Sequence, residues 1–159
     1  MRMTDLTARM ADDTHRCVMA DLDGIHHEHA RLAEALAYVG QTARVIRTEG
    51  VCDPQRYQEM RRFIDEVALP HLRYEEDELF PRAAALGMPP ETLEILRLDH
   101  RRLRVLARIA TAWGLRRRTR FLPHDAALVI DRFVQAFDEH ARHEEALFHE
   151  LRRPQHDAF

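Results

Sequence analysis

Apolar residues recur three and four apart through four long stretches of the chain, and each stretch carries a histidine within its apolar seam. In the first, Ile25, His29, Leu32, Leu36, Val39, Ala43 and Ile46 keep the period of a helix with one buried face. The second opens on Asp53 and Pro54, an N-cap followed by proline at the first helical position, and its stripe runs Met60, Ile64, Val67, His71, Glu75 and Leu79. The third starts near Pro90 and Glu91 and reads Leu93, Leu96, His100, Leu103, Ala107 and Ala110. The fourth starts near His124 and Asp125 and reads Ile130, Phe133, Phe137, His140, Glu144, Leu147 and Leu151. Helix breakers cluster at Gly50 to Pro54, Gly87 to Pro90 and Gly114 to Pro123, so three interruptions leave four helices. An all-α bundle over residues 21–151 follows, with residues 1–20 as an arm or short helix and 152–159 as a tail.

Pro70 falls inside the second helix and cannot donate to the carbonyl of Glu66, which predicts a local kink one residue before His71. The chain also repeats itself. His29-Ala-Arg-Leu resembles His100-Arg-Arg-Leu, and the pair His71 and Glu75-Glu76 resembles His140 and Glu144-Glu145, so helices one and two look like three and four. The repeat is imperfect by one residue: Leu79-Phe80 stands one position further from its glutamate pair than Leu147-Phe148 does from the second.

Composition narrows the class without naming a partner. The 159 residues fit one domain, and 45% apolar with 32% charged residues can fill a core and cover it. A formal charge of -3 and a pI near 6.4 give no global reason to expect nucleic acid or an anionic membrane. All 24 basic residues are arginine, which no single site would demand. The arginines of the third helix and of residues 116–120 read as a solvated, ion-paired face rather than a phosphate-backbone contact. Cys17 and Cys52 are too few for a disulfide scaffold and are not spaced as a metal or redox pair. With no signal-like segment and no run approaching roughly 18 apolar residues, a cytoplasmic protein is expected.

The chemistry lies in the polar residues that interrupt the seams. Antiparallel neighbours joined by a tight turn bring residues equidistant from that turn to one height, because each helical residue advances roughly 1.5 Å. Positions 29 and 71 are centred on Gly50, 75 and 100 on the Gly87-Met88 turn, and 100 and 140 on the third connection. A histidine alone on an apolar face is ordinarily a hydrogen-bonded core residue. Six polar side chains at one depth, His29, His71, Glu75, His100, His140 and Glu144, point instead to a metal site. Imidazole with carboxylate suits iron, manganese or zinc, whereas calcium and magnesium prefer all-oxygen sites and copper(I) prefers sulfur; four histidines to two glutamates favour iron or zinc. Two glutamates facing each other could each bridge a pair of metal ions, leaving about two imidazoles per ion and open positions for a small ligand.

These motifs, His29, His71-x-x-x-Glu75-Glu76-x-x-Leu79-Phe80-Pro81, Asp99-His100 and His140-x-x-x-Glu144-Glu145, resemble the hemerythrin-like (HHE cation-binding) family over roughly residues 21–151. The resemblance implies an up-and-down antiparallel four-helix bundle around two non-haem iron ions joined by an oxo or hydroxo bridge. It implies that His29 and His71 serve one iron, His100 and His140 the other, and that Glu75 and Glu144 bridge them. Oxygen-carrying hemerythrins have a further histidine one turn before the position of His100; here Leu96 stands there, which argues against reversible oxygen carriage.

His26, three residues before His29, is either a seventh metal ligand or a hydrogen-bonding or solvated neighbour. Tyr74, Glu76 and His143 flank the ligands and could hydrogen-bond them or a bound peroxide, but flanking positions on a helix favour side chains that point away. The leading function is a di-iron protein that binds or senses oxygen, nitric oxide or peroxide. The alternatives are a di-iron enzyme, which decomposes peroxide or repairs iron-sulfur centres as some hemerythrin-like proteins do, and a scaffold or interaction protein whose metal, such as zinc, stabilises the bundle or whose arginine face docks a partner.

Overall fold

The apolar periodicity becomes four helices in a computed structural model that describes residues 22–51, 53–112 and 123–151. The first, α1, is Leu22–Glu49; α2 occupies residues 54–85; α3 is Pro90–Ala112 and α4 is Pro123–Leu151. The expected arm, tail, cysteines and residues 116–120 lie outside the described residues. None of the described helices is long and apolar enough to cross a membrane.

The first two turns form where the sequence predicts them, and the third connection lies outside the described residues. Gly50 closes α1 with φ of 69°, in the left-handed region that glycine enters without a Cβ clash. The Asp53 side chain then caps α2 by accepting from the Gln55 N–H at 3.1 Å. At the other end of α2, Gly87 has φ of 96°. Met88 N–H donates to the Ala83 carbonyl at 2.9 Å and Gly87 N–H to the Ala84 carbonyl at 3.0 Å, the paired bonds of a glycine-terminated helix, with Met88 buried beneath them.

The kink expected at Pro70 takes the form of a wide turn. Within α2, α-helical Pro54–Phe63 passes into a π turn, Ile64–Ala68, then α-helical Leu69–Tyr74, a second π turn, Glu75–Leu79, and α-helical Phe80–Ala85. Each π turn lies directly before an X-Pro step, Leu69-Pro70 and Phe80-Pro81. A proline ring crowds the carbonyl four residues back and offers no N–H, so widening the preceding turn to five-residue bonds relieves both problems. Leu69 N–H reaches the Ile64 carbonyl and Phe80 N–H reaches the Glu75 carbonyl accordingly. The second π turn also takes up the one-residue offset in the internal repeat, so that Phe80 and Phe148 enter the same apolar cluster despite unequal spacing from Glu75 and Glu144.

Two apolar clusters fill the bundle. The larger draws on Leu32 to Ile46, Tyr57 to Leu72, Leu103 to Ala110 and Ala127 to Phe137; the smaller gathers Leu79, Phe80, Ala83, Met88, Leu93, Leu96 and Phe148. On every helix the expected metal-ligating positions fall between or beside these sets, so the polar layer is sealed by apolar packing. Cross-helix contacts pin the register. Tyr38 Oη donates to Glu59 at 2.7 Å, Tyr57 Oη donates to the carbonyls of Ala110 and Thr111 at 3.0 and 2.9 Å, and Arg47 pairs with Asp131. The exposed basic face of α3 is ion-paired as expected: Arg97 and Arg101 with Glu94, and Arg102 with Glu139.

Deleting Asp77 and replacing Pro81 by alanine gives α2 the glutamate-to-leucine spacing of α4 and removes the need for the π turn. Helical circular dichroism and a single cooperative melt are expected to survive. Phe133→Ala, which truncates a side chain with no exposed surface, should cost about 3–5 kcal/mol. An unfolded deletion variant would refute the account of the wide turn.

Candidate metal centre

Histidine and glutamate four apart share one face of a helix, which turns His71 with Glu75 and His140 with Glu144 into the bundle. His29 of α1 and His100 of α3 meet them at the same height. All six are buried, none more than 4% exposed. Glu75 lies at the middle. Its Oε1 is 2.7 Å from His71 Nε2 and 3.5 Å from His29 Nε2, while its Oε2 is 3.1 Å from His100 Nε2 and 3.5 Å from His140 Nε2. One carboxylate therefore offers one oxygen to each of two trios, His29–His71–Glu75 and Glu75–His100–His140. Within each trio the ligand atoms lie within 4.8 Å of one another. Glu144 Oε2 is 3.3 Å from His29 Nε2, and neither Glu144 oxygen has a hydrogen bond.

The donor set suits a divalent or trivalent metal. Glu76 Oε1 lies 2.8 Å from His100 Nδ1, and a carboxylate can only accept, so Nδ1 carries a hydrogen and Nε2 faces inward. There it meets Glu75 Oε2 and, at 3.1 Å, His140 Nε2. Both nitrogens of His71, Glu75 Oε2, His140 Nδ1 and both oxygens of Glu144 also lack hydrogen-bond partners. Buried polar atoms rarely go unsatisfied in such numbers. A proton settles one acceptor-to-acceptor contact at a time, whereas a cation at each trio settles several together.

Flanking residues turn out to face the candidate ligands, whereas Glu76 was expected to point away. Each flanking residue sits about 100° round its helix from its own ligand, and so it reaches the ligand of a neighbouring helix. Glu28 of α1 lies 3.2 Å from His71 Nδ1, Glu76 of α2 2.8 Å from His100 Nδ1, and Glu145 of α4 3.1 Å from His29 Nδ1. The contacts at His29 and His100 are hydrogen bonds, which fix tautomer and ring direction and make the inner nitrogen a better ligand, while Glu28 stands beside His71 Nδ1 as an ion-pair neighbour. Arg104 in turn clamps Glu76 through two bonds of 2.8 Å. Glu28 and Glu145 were missed in the sequence reading; the signal was their adjacency to His29 and Glu144 in the repeat. Phe80 stacks on His100 and Phe137 on His71, with ring centroids 5.2 and 5.9 Å apart, and these faces keep water from the imidazoles. The side chain of His26, the candidate seventh ligand, lies outside the described residues.

The charges are strongly coupled. Burial pushes the Glu75 carboxyl up, but the imidazoles of His71, His100, His140 and His29 outweigh it and hold the group well below the usual carboxylate range. Burial and the nearby Glu75 charge push Glu144 up, which His29 and His140 only partly offset. Burial opposes the charged form of His29, yet Glu144 and Glu75 raise it to about 9; burial likewise opposes charge on His71, and Glu75 and Glu28 raise it well above its ordinary value. Comparison of the chain with family models, with curated proteins and with solved structures finds no match.

Metal ligands must be deprotonated, so at pH 7 an ion entering the site displaces protons from His29 and His71. Metal added to the metal-free protein in weak buffer should release protons, and the apparent affinity should rise between pH 6 and 9 by up to about tenfold per unit for each proton displaced. Flat affinity over that range would contradict the assignment. Without metal, the stabilisation from charged His29 is complete below its ordinary value near 6.5 and is lost as the pH rises through about 9.

Proposed function

We propose that the chain is a hemerythrin-like up-and-down four-helix bundle whose two trios hold a non-haem iron pair, and that it binds or senses a small oxidant or gas: oxygen, nitric oxide or peroxide. The observation that carries the reading is the placement of Glu75, with one oxygen toward His29 and His71 and the other toward His100 and His140. Cross-helix contacts support the topology. Tyr38–Glu59 and His29–His71 join α1 to α2, and Tyr57–Ala110 and Glu76–Arg104 join α2 to α3. In each pairing the numbering rises on one helix as it falls on the other. His29–Glu145 and Arg47–Asp131 do the same between α1 and α4.

Iron bound to these residues supplies a redox-active Lewis acid for a small ligand. The chain supplies the rest. Four inward Nε2 atoms and two carboxylates set the donor number, Glu28, Glu76 and Glu145 hold three of the rings, and Phe80 and Phe137 exclude water from their faces. A cavity of about 150 Å³ between α1 and α4 reaches His29, Phe137 and Glu145. That leaves room for a diatomic or peroxide beside His29. Leu96 is fully buried in the smaller apolar cluster and donates no ligand, which favours sensing or reaction over oxygen storage.

The test is spectroscopic. Protein loaded with ferrous iron and exposed separately to oxygen, nitric oxide and peroxide should show a change in its visible spectrum with at least one, stoichiometric with the iron pair. Glu75→Ala should abolish the change. An unaltered spectrum with all three ligands would overturn the reading.

A further inference from the structure

The outer carboxylates obey a rule that fails at one place. Glu28 of α1 serves α2, Glu76 of α2 serves α3, and Glu145 of α4 serves α1. The repeat that aligns His29 with His100 places Asp99 where the first half has Glu28, so Asp99 of α3 is the residue that would serve His140 of α4. Aspartate is one methylene shorter. Its Oδ2 lies 3.7 Å from His143 Nδ1 instead. His140 Nδ1, on a ring that is almost fully buried, has no hydrogen-bond partner, and whereas His71 Nδ1, which also lacks one, has Glu28 at 3.2 Å, no described carboxylate pairs with His140 Nδ1.

At this spot the bundle opens a cavity of about 320 Å³, lined by Asp99, Arg102, Ala136, Glu139, His140 and His143. His140 Nε2 faces Glu75 Oε2 and His100 Nε2, so Nδ1 is the nitrogen turned to the cavity. Arg102 and Glu139 face each other at 3.8 Å, so the carboxylate nearest in kind to Glu28 is Asp99. The space holds water easily, and the site has the donor and acceptor that a bound water needs.

We propose that a water in this cavity links His140 Nδ1–H to Asp99, that Asp99 is thereby a positioning residue for His140, and that the Glu75–His100–His140 trio releases its metal ion faster than the His29–His71–Glu75 trio. Water accepts the imidazole hydrogen more weakly than a carboxylate does, so the His140 ring is held less firmly and its inner nitrogen is less basic. In the other trio both histidines have a carboxylate at the outer nitrogen, and Phe137 stacks on His71. The inference rests on the two-metal reading above and ranks its two halves.

The test uses the full chain loaded with two cobalt(II) ions and mixed with excess EDTA, while the cobalt d–d absorbance is followed. The wild type should lose metal in two phases of equal amplitude. Asp99→Ala should accelerate the fast phase about tenfold and leave the slow one in place, in line with the usual effect of losing such a partner. Asp99→Glu, which restores the length of Glu28, should slow the fast phase, and Glu28→Ala should accelerate the slow phase. Asp99 is about one-third exposed, so neither substitution threatens the core. A single phase, a fast phase indifferent to both Asp99 substitutions, or equal acceleration of both phases would overturn the proposal. Uptake of fewer than two ions would overturn the two-metal reading instead.

Discussion

Two carboxylates buried at the centre of an apolar bundle are the constraint on which the rest of the structure depends. Removing a carboxylate from water costs several kcal/mol even after relaxation, and Glu75 and Glu144 incur this cost side by side with no Arg head group against them among the described residues. Four imidazoles offset it only if they arrive at one depth with their nitrogens inward, which makes helix register a requirement. The Tyr38, Tyr57 and Arg47 contacts fix that register from the larger apolar cluster. Glu28, Glu76 and Glu145 then fix the rings one by one, since an imidazole free to turn would present the wrong nitrogen.

The same constraint explains why α2 is irregular. It carries two prolines that the bundle must accommodate without rotating His71 or Glu75 off the inner face. A bend at either proline would move the ligands; a π turn absorbs one residue and returns the helix to phase. Glu75 itself begins one of these turns, so the carboxylate shared between the trios stands on a widened piece of backbone. Its counterpart Glu144 stands on regular helix and faces one histidine at 3.3 Å. The pseudo-symmetry evident in the sequence is thus broken at the residue shared between the two trios.

How much of this the sequence disclosed depends on the range of each interaction. Periodicity located four helices and all six buried histidines and glutamates of the polar layer, because a seam that reads Leu32, Leu36, Val39 leaves His29 no other face. Symmetric numbering about Gly50 and Gly87 placed those positions at one level, since rise per residue is nearly constant. The π turns escaped: Pro70 signalled a disturbance, but whether a helix bends or widens is decided by the neighbours it must keep touching. Glu28, Glu76 and Glu145 escaped because their partners lie on other helices, 24 to 116 positions away for the last two, and the chain alone does not show which outward-turned glutamate bends back. The missing partner of His140 was legible only once those three were known, as the single aspartate in a set of glutamates.

Whether the six side chains hold two metal ions is answered most directly by an elemental measurement: iron, manganese and zinc per chain in protein purified without added metal, for the wild type and for a chain carrying Glu75→Ala and Glu144→Ala. Two irons per wild-type chain, absent from the substituted chain while its helical circular dichroism persists, is the result expected. A wild-type chain with no bound metal, or metal that stays when both glutamates are gone, would contradict it.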